Sequence, residues 1–270
     1  MTAPNESSVR AGAPASARLA RTMAVTSGKG GVGKTMVSAN VAAALTRRGQ
    51  RVLVLDADLG LANLDVVLNL HSKVTLHDVF EGKAELESAI VPTSGGFSVL
   101  LAGSGLVEYS RLTNDVREQL LAIVEKMKPR FDVILIDTGA GISDVVLFAV
   151  SLADEVLVVA TPEPTSLTDA YATIKVLATQ QGRRRIKLIV NQVSRPGEGR
   201  AIRGQLQQVV DRFVSPALVD GPPLKLDLIG ELPTDSAVRE AVLKRQLLVE
   251  SIPGCAASKA IGLLADKLLA

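Results

Sequence analysis

The sequence contains no tryptophan, and only two tyrosines and five phenylalanines among 270 residues. So sparse an aromatic complement argues against a platform that stacks single-stranded bases. There is one cysteine, Cys255. That excludes a disulfide framework and any iron–sulfur or metal site that needs several cysteines from one chain. The two histidines, His71 and His77, have no metal-ligand spacing with it. No stretch reads as a membrane span. Net charge is +2, so no global field drives non-specific binding to nucleic acid. The short basic run Arg183, Arg184 and Arg185 reads as a solvated corner between a helix and a strand rather than a DNA contact. Residues 1–20 are rich in Ala, Ser and Pro and lack an apolar core segment. They read as a flexible arm rather than a signal peptide, with residues 21–270 as one domain. A cytoplasmic location fits.

What the chain does have is apolar residues, 47% of the total, in short Val/Ile/Leu runs separated by helical patterns. "TMAV" (22–25), "RVLVLDAD" (51–58), "FSVLLAG" (97–103), "FDVILIDTGAG" (131–141), "EVLVVATPEPTS" (155–166), "RIKLIVNQV" (185–193) and "LDLIGELPTD" (226–235) contain the strands. "NDVREQLLAIVEKM" (114–127) carries a helical stripe with a starting cap at Asn114. This alternation predicts an α/β fold, a mostly parallel sheet with helices on both faces. Ligands of such sheets bind at the carboxyl ends of the strands. Asp56, Asp58, Asp137, Glu163 and Asn191 follow strands and so fall along that edge.

The stretch "TSGKGGVGKT" (26–35) lies between the first strand and a helical segment ending near Gly49. It satisfies the G-x-x-x-x-G-K-[ST] pattern through Gly28, Gly33, Lys34 and Thr35. Backbone N–H groups of such a loop converge on a phosphate, and the helix N-terminus adds positive potential. Lys34 is placed to reach the β- and γ-phosphates of a nucleotide, and the Thr35 hydroxyl to ligate Mg²⁺. Asp137, closing an apolar strand, suits the Mg²⁺ site through a water. Of Asp56 and Asp58, one could support the metal shell and the other could orient water. Asn191 offers the donor and acceptor that an adenine edge needs. Lys29 is surplus to this cradle. It is either a surface lysine or one aimed at a nucleotide in another subunit.

"KGGVGKT" (29–35), "DADLGLANLD" (56–65) and "DTGAGISD" (137–144) resemble the deviant Walker A P-loop ATPases of the MinD/ParA type. Within that group, "GLANLD", "GISD", "EPTSLTDAYATIK" (163–175), "NQVSRPGEGR" (191–200) and "LPTDSAVREAV" (232–242) are similar to the MinD-like flagellar number regulators of the FlhG/FleN branch. The resemblance implies an ATPase using ATP and Mg²⁺ that forms a homodimer when ATP-bound. It implies that Lys29 crosses the dimer interface to the partner's ATP, and that Asp58 positions the attacking water. It implies a nucleotide site of Gly28, Lys29, Gly30, Gly31, Val32, Gly33, Lys34 and Thr35. Asn191 then reads the adenine, with backbone near Pro233 and Asp235, and Thr35, Asp56 and Asp137 serve the metal. The implied partners are the FlhF GTPase, flagellar switch proteins or the flagellar master transcription activator. The competing roles within the group are septum positioning and partition of DNA cargo.

Residues 1–20 hold no Asp-Gln-Ala segment of the kind by which many of these regulators stimulate FlhF. Many MinD relatives end in a basic amphipathic helix that inserts into lipid. Here "ASKAIGLLADKLLA" (257–270) has few basic residues and no aromatic anchor. It reads as a helix packed on the sheet, leaving at most weak, transient contact with the inner face of the membrane or the cell pole.

Overall fold

A computed structural model describes residues 19–58, 64–103, 113–219 and 221–270. The arm read over residues 1–20 lies outside these except for Leu19 and Ala20, as does most of the "GLANLD" block. Ala20 is buried, and its N–H donates to Lys128 O at 2.9 Å.

Eight strands of the described residues form one sheet. They are β1 (Arg21–Ser27), β2 (Val52–Ala57), β3 (Ile90–Pro92), β4 (Ser98–Leu100), β5 (Val133–Ala140), β6 (Glu155–Ala160), β7 (Arg185–Val193) and β8 (Lys225–Pro233). Their spatial order is β3-β4-β2-β5-β1-β6-β7-β8. Every pairing is parallel except that of β3 with β4. The expected α/β architecture is therefore present, with a short antiparallel edge strand that the sequence reading did not contain.

Successive side chains of a strand face opposite sides, and the core divides accordingly. Leu53, Leu55, Ile134, Ile136, Val156 and Val158 share one layer with α5 (Asn114–Met127), α6 (Asp144–Ser151), α7 (Pro164–Gln180) and α8 (Glu198–Phe213). Met23, Val25, Val52, Val54, Leu135 and Leu157 share the other with α1 (Lys34–Thr46) and α11 (Ala256–Leu269). The described residues also form the short helices α2 (Leu64–Leu68), α3 (Leu76–Phe80), α4 (Leu86–Ala89), α9 (Ser236–Leu243) and α10 (Leu248–Ser251).

Helix α5 has the predicted span, but its cap is corrected. Thr113, not Asn114, has extended backbone and accepts Val116 N–H on its hydroxyl at 3.3 Å. The sequence "LTND" offers cap-forming residues in succession, and the periodicity alone does not choose between them. The strand expected to close at Asp137 instead runs through Ala140, with Gly141 at φ 93° turning the chain. The basic corner is structural. Arg183 donates to the Val150, Ala153 and Asp154 carbonyls at the end of α6, and Arg185 pairs with Asp227.

Strand β1 is central, and the chain winds outward from it in both directions. Its carboxyl end, where the glycine-rich loop emerges, is thus the crevice at which such sheets bind ligands.

Candidate functional site

The loop between β1 and α1 is built on two close approaches. At Gly28, a Cβ would lie 2.2 Å from Asp169 O of α7, so no side chain fits. At Gly33, φ is 95°, and a Cβ would lie 2.5 Å from Asn191 Nδ2 at the end of β7. Gly30 and Gly31 form the exposed crest, and Val32 is buried beneath them. Gly33 then caps α1 in a left-handed conformation, which turns the first N–H groups of the helix toward the loop.

The two loop lysines separate. Lys34 Nζ donates to Ser27 Oγ at 2.9 Å, and Ser27 Oγ donates in turn to Lys29 O at 2.7 Å. Burial lowers the Lys34 pKa, with Asp137 and Asp58 opposing the shift. Lys29 Nζ turns outward to Glu163 Oε2 at 2.7 Å and Thr165 Oγ1 at 2.9 Å, at the start of α7.

Two carboxylates lie side by side on neighbouring strands, since Asp56 of β2 and Asp137 of β5 are register partners. Both are buried. Ser38 Oγ donates to Asp137 Oδ1 at 2.8 Å, and the Thr35 hydroxyl also donates to Asp137. Burial nevertheless lifts the Asp137 carboxyl to about 6, against those hydrogen bonds and nearby Lys34. Burial, followed by the Asp137 charge, holds Asp56 well above the usual carboxylate range. Asp56 Oδ1 accepts Asp58 N–H at 3.1 Å, while its buried Oδ2 has no hydrogen-bond partner among the described residues. Asp58 is half-buried, and its Oδ1 lies over Gly139, 3.3 Å from where a Cβ would stand.

An orphaned buried carboxylate oxygen beside a second buried carboxylate is costly unless a cation compensates it. Oxygen donors from Thr35, Asp56 and Asp137 are the chemistry a hard divalent cation takes. The residues present therefore fit Mg²⁺ and a nucleotide phosphate chain.

The proposed base-reading residues also come together. Asn191 pairs in register with Leu232, and Thr234 N–H donates to Val193 O at 2.9 Å. Pro233 ends β8 beside them. Asp235 caps α9 through Ala237 N–H and accepts Ala257 N–H of α11. Glu163 was placed on the binding edge by the sequence but given no role, and three supporting residues were missed: Ser27, Ser38 and Thr165. Ser38 could have been found as the residue one helical turn after Lys34, on the same face.

Among the described residues no cluster of three or more His, Cys, Asp or Glu could hold a metal by itself, and Cys255 caps α11. No described helix is long and apolar enough to cross a membrane.

This fold and this loop define a P-loop nucleotide-binding protein, and comparison with known proteins agrees. The model of the ParA family, described as NUBPL iron-transfer P-loop NTPase, matches residues 18–269. The chain belongs to this family, and is a P-loop ATPase of the MinD/ParA type. It is similar to the antiactivator FleN of Pseudomonas aeruginosa, with 43% identity over 91% of this chain and 85% of that protein. The flagellum site-determining protein YlxH of Helicobacter pylori is 33% identical over 91% of this chain and 82% of its own. The septum site-determining protein MinD of Pyrococcus horikoshii, solved with Mg-ADP, superposes with a TM-score of 0.72 at 29% identity. That match covers 93% of this chain and 96% of the MinD chain. Within the family, the chain is thus FleN/FlhG-like.

Proposed function

We propose that this chain is an ATP-driven switch that dimerises on Mg²⁺-ATP, binds a protein partner in that state, and controls flagellar number or placement. The observation that carries the switch is the division of the two loop lysines. Lys34 stays in the cradle, while Lys29 leaves it and lies on the outer surface by α7. A cation turned out of its own cradle into an exposed, exchangeable pair with Glu163 can be offered to a second protomer. The flagellar role is supported by the FleN and YlxH similarities, which span nine-tenths of the chain.

The geometry supports the following roles. The N–H groups of the loop and of the first turn of α1 hold the phosphates, and Lys34 neutralises them. Thr35 and Asp137 hold Mg²⁺, with Asp56 supporting the shell. When bound, the metal neutralises charge on the phosphate oxygens. Asp58, poised over Gly139, orients the attacking water. Asn191, with backbone near Pro233 and Asp235, contacts the adenine. Lys29 from the opposite protomer stabilises charge as an arginine finger does, an effect worth about 10³–10⁵-fold in other NTPases. Catalysis is positioning plus charge neutralisation, with no covalent intermediate. FlhF, flagellar switch proteins and the flagellar master transcription activator are the partner classes.

Sedimentation in Mg-ADP and Mg-ATP tests the switch. ATP is expected to give dimers and ADP monomers, with Lys29→Ala binding nucleotide but failing to hydrolyse it. Equal dimer content in both nucleotides refutes it. The flagellar role is tested by complementing a Pseudomonas aeruginosa strain that lacks FleN and counting flagella per cell. Failure of an expressed, ATPase-active chain to restore the count argues against that role.

A further inference from the structure

Lys29 occupies an electrostatically awkward place. The N-terminus of α7 carries partial positive potential, which disfavours a nearby cation. Glu163, the residue preceding α7, supplies the compensating charge at 2.7 Å, and Thr165 adds an acceptor at 2.9 Å. Pro164 at the first helical position restricts Glu163 to extended backbone, and it has φ −60° and ψ 132°. Gly28 packs so closely on Asp169 of α7 that a Cβ there would lie 2.2 Å from its carbonyl oxygen, which seats the loop beside that helix. Lys29 therefore moves only by breaking its contacts with Glu163 and Thr165. Those contacts are exchangeable, since the Lys29 and Glu163 side chains are 37% and 59% exposed.

We propose that Glu163 is a positioning residue that acts through Lys29, holding the lysine on its own protomer in competition with the phosphates of a partner's nucleotide. The proposal rests on the reading above in which Lys29 crosses between protomers. Its consequence is a threshold. An exposed carboxylate holds the lysine against weak competitors. A triphosphate in a closing, water-excluding interface offers stronger charge-assisted hydrogen bonds and displaces it. Glu163 thus sets how readily loaded monomers pair through its hold on Lys29.

Exposed ion pairs of this kind shift an equilibrium by about 1.4- to 5-fold. Two such pairs break in a symmetric dimer, so removing the Glu163 charge is expected to raise the dimer association constant about 2- to 30-fold. The experiment is sedimentation velocity over a range of protein concentration in Mg²⁺ and the non-hydrolysable analogue AMPPNP. It compares wild type, Glu163→Gln, Thr165→Val, Lys29→Ala and the Glu163→Gln/Lys29→Ala double variant. Glu163→Gln is expected to dimerise more tightly, Thr165→Val to shift the same way by less, and monomer affinity for Mg-ADP to stay unchanged. In the Lys29→Ala background, Glu163→Gln is expected to do nothing, an outcome that a merely structural role for Glu163 does not give. Dimerisation of Glu163→Gln no tighter than wild type, with Lys29→Ala impaired, overturns the holding role alone. So does a gain that persists without Lys29. If Lys29→Ala dimerises and hydrolyses ATP like wild type, the crossing of Lys29 fails, and the proposal fails with it.

Discussion

Asn191 Nδ2 donates to Val32 O at 2.8 Å, tying the end of β7 to the middle of the phosphate loop. Its Oδ1 accepts Gln192 N–H at 2.9 Å, which fixes the amide plane. One N–H and one acceptor lone pair are left to face a base. The residue therefore serves two ligands at once: the loop that holds phosphate and, in the proposed function, the adenine. Asn191→Ala leaves a buried carbonyl without its donor. A net loss of about 1–2 kcal/mol, or roughly 5- to 30-fold in Mg-ADP affinity, is expected. Isothermal titration calorimetry measures it. Unchanged affinity in a folded variant shows that the loop holds its shape without this contact.

The carboxylate pair makes a pH prediction. Asp137 titrates at about 6 in the folded chain, against 3.8 for an ordinary aspartate. Between those values the folded state binds more protons than the unfolded state. Its contribution to stability is thus fully present below pH 3.8 and lost as pH rises through about 6. Asp56, shifted in the same direction, adds to the effect. The magnitude from Asp137 alone is up to roughly 3 kcal/mol. Denaturant titrations of the nucleotide-free, metal-free protein are expected to show a local contribution favouring pH 5 over pH 7. Asp137→Asn is expected to flatten that dependence and raise stability at pH 7. A pH profile identical in the variant and wild type counts against it. Mg²⁺ takes up the ionised carboxylates, so its binding is expected to release protons near pH 6.

Asp58 and Lys34 separate chemistry from binding. Asp58 lies off the phosphate cradle and over Gly139, while Lys34 lies within it on Ser27. Asp58→Ala is expected to slow hydrolysis by about 100-fold or more and to accumulate ATP-bound dimer. Lys34→Ala is expected to lose tight nucleotide binding. Phosphate release and retained nucleotide, measured on the same samples, distinguish the two. Wild-type turnover in Asp58→Ala refutes the assignment of the water-positioning role.

The phosphate loop was legible because its spacing is fixed by backbone geometry. Gly28 and Gly33 sit where α7 and Asn191 leave no room for a Cβ. The central strands were legible because they are apolar on both faces, and α5 because its stripe is regular. Strand β3 was not, because three residues carry no period and its partner β4 lies across a turn. The partners of Lys29 were not, because they come from residues 163–165, more than a hundred positions away, and are joined only when β1 and β6 pair. Spacing alone left Asp56 undivided from Asp58, and only the resemblance separated them, for a similar reason. Only the register of β2 on β5 puts Asp56 beside Asp137, while Asp58 passes the strand end.

The last helix gives the prediction that separates packing from membrane attachment. Helix α11 buries Ile261, Leu264 and Leu268 against α1 and β8, each no more than 1% exposed. It is also tied by polar contacts at several points. Arg21 donates to Leu268 O at 2.6 Å, Arg48 donates to Gly262 O at 2.8 Å, and Asp235 receives Ala257 N–H at 3.1 Å. Its outward face is Lys259, Leu263, Asp266 and Lys267, one large apolar residue among charges. Interfacial helices need a broad apolar face, and this one is already against the sheet. Leu264→Ala is expected to cost about 2–5 kcal/mol of stability. Removal of residues 257–270 is expected to cause unfolding or aggregation. The checks are thermal melting of both variants and flotation of wild type and truncation with anionic liposomes in Mg-ATP. A truncation that melts like wild type yet no longer floats would show that the helix is an anchor, releasable from the sheet at little cost.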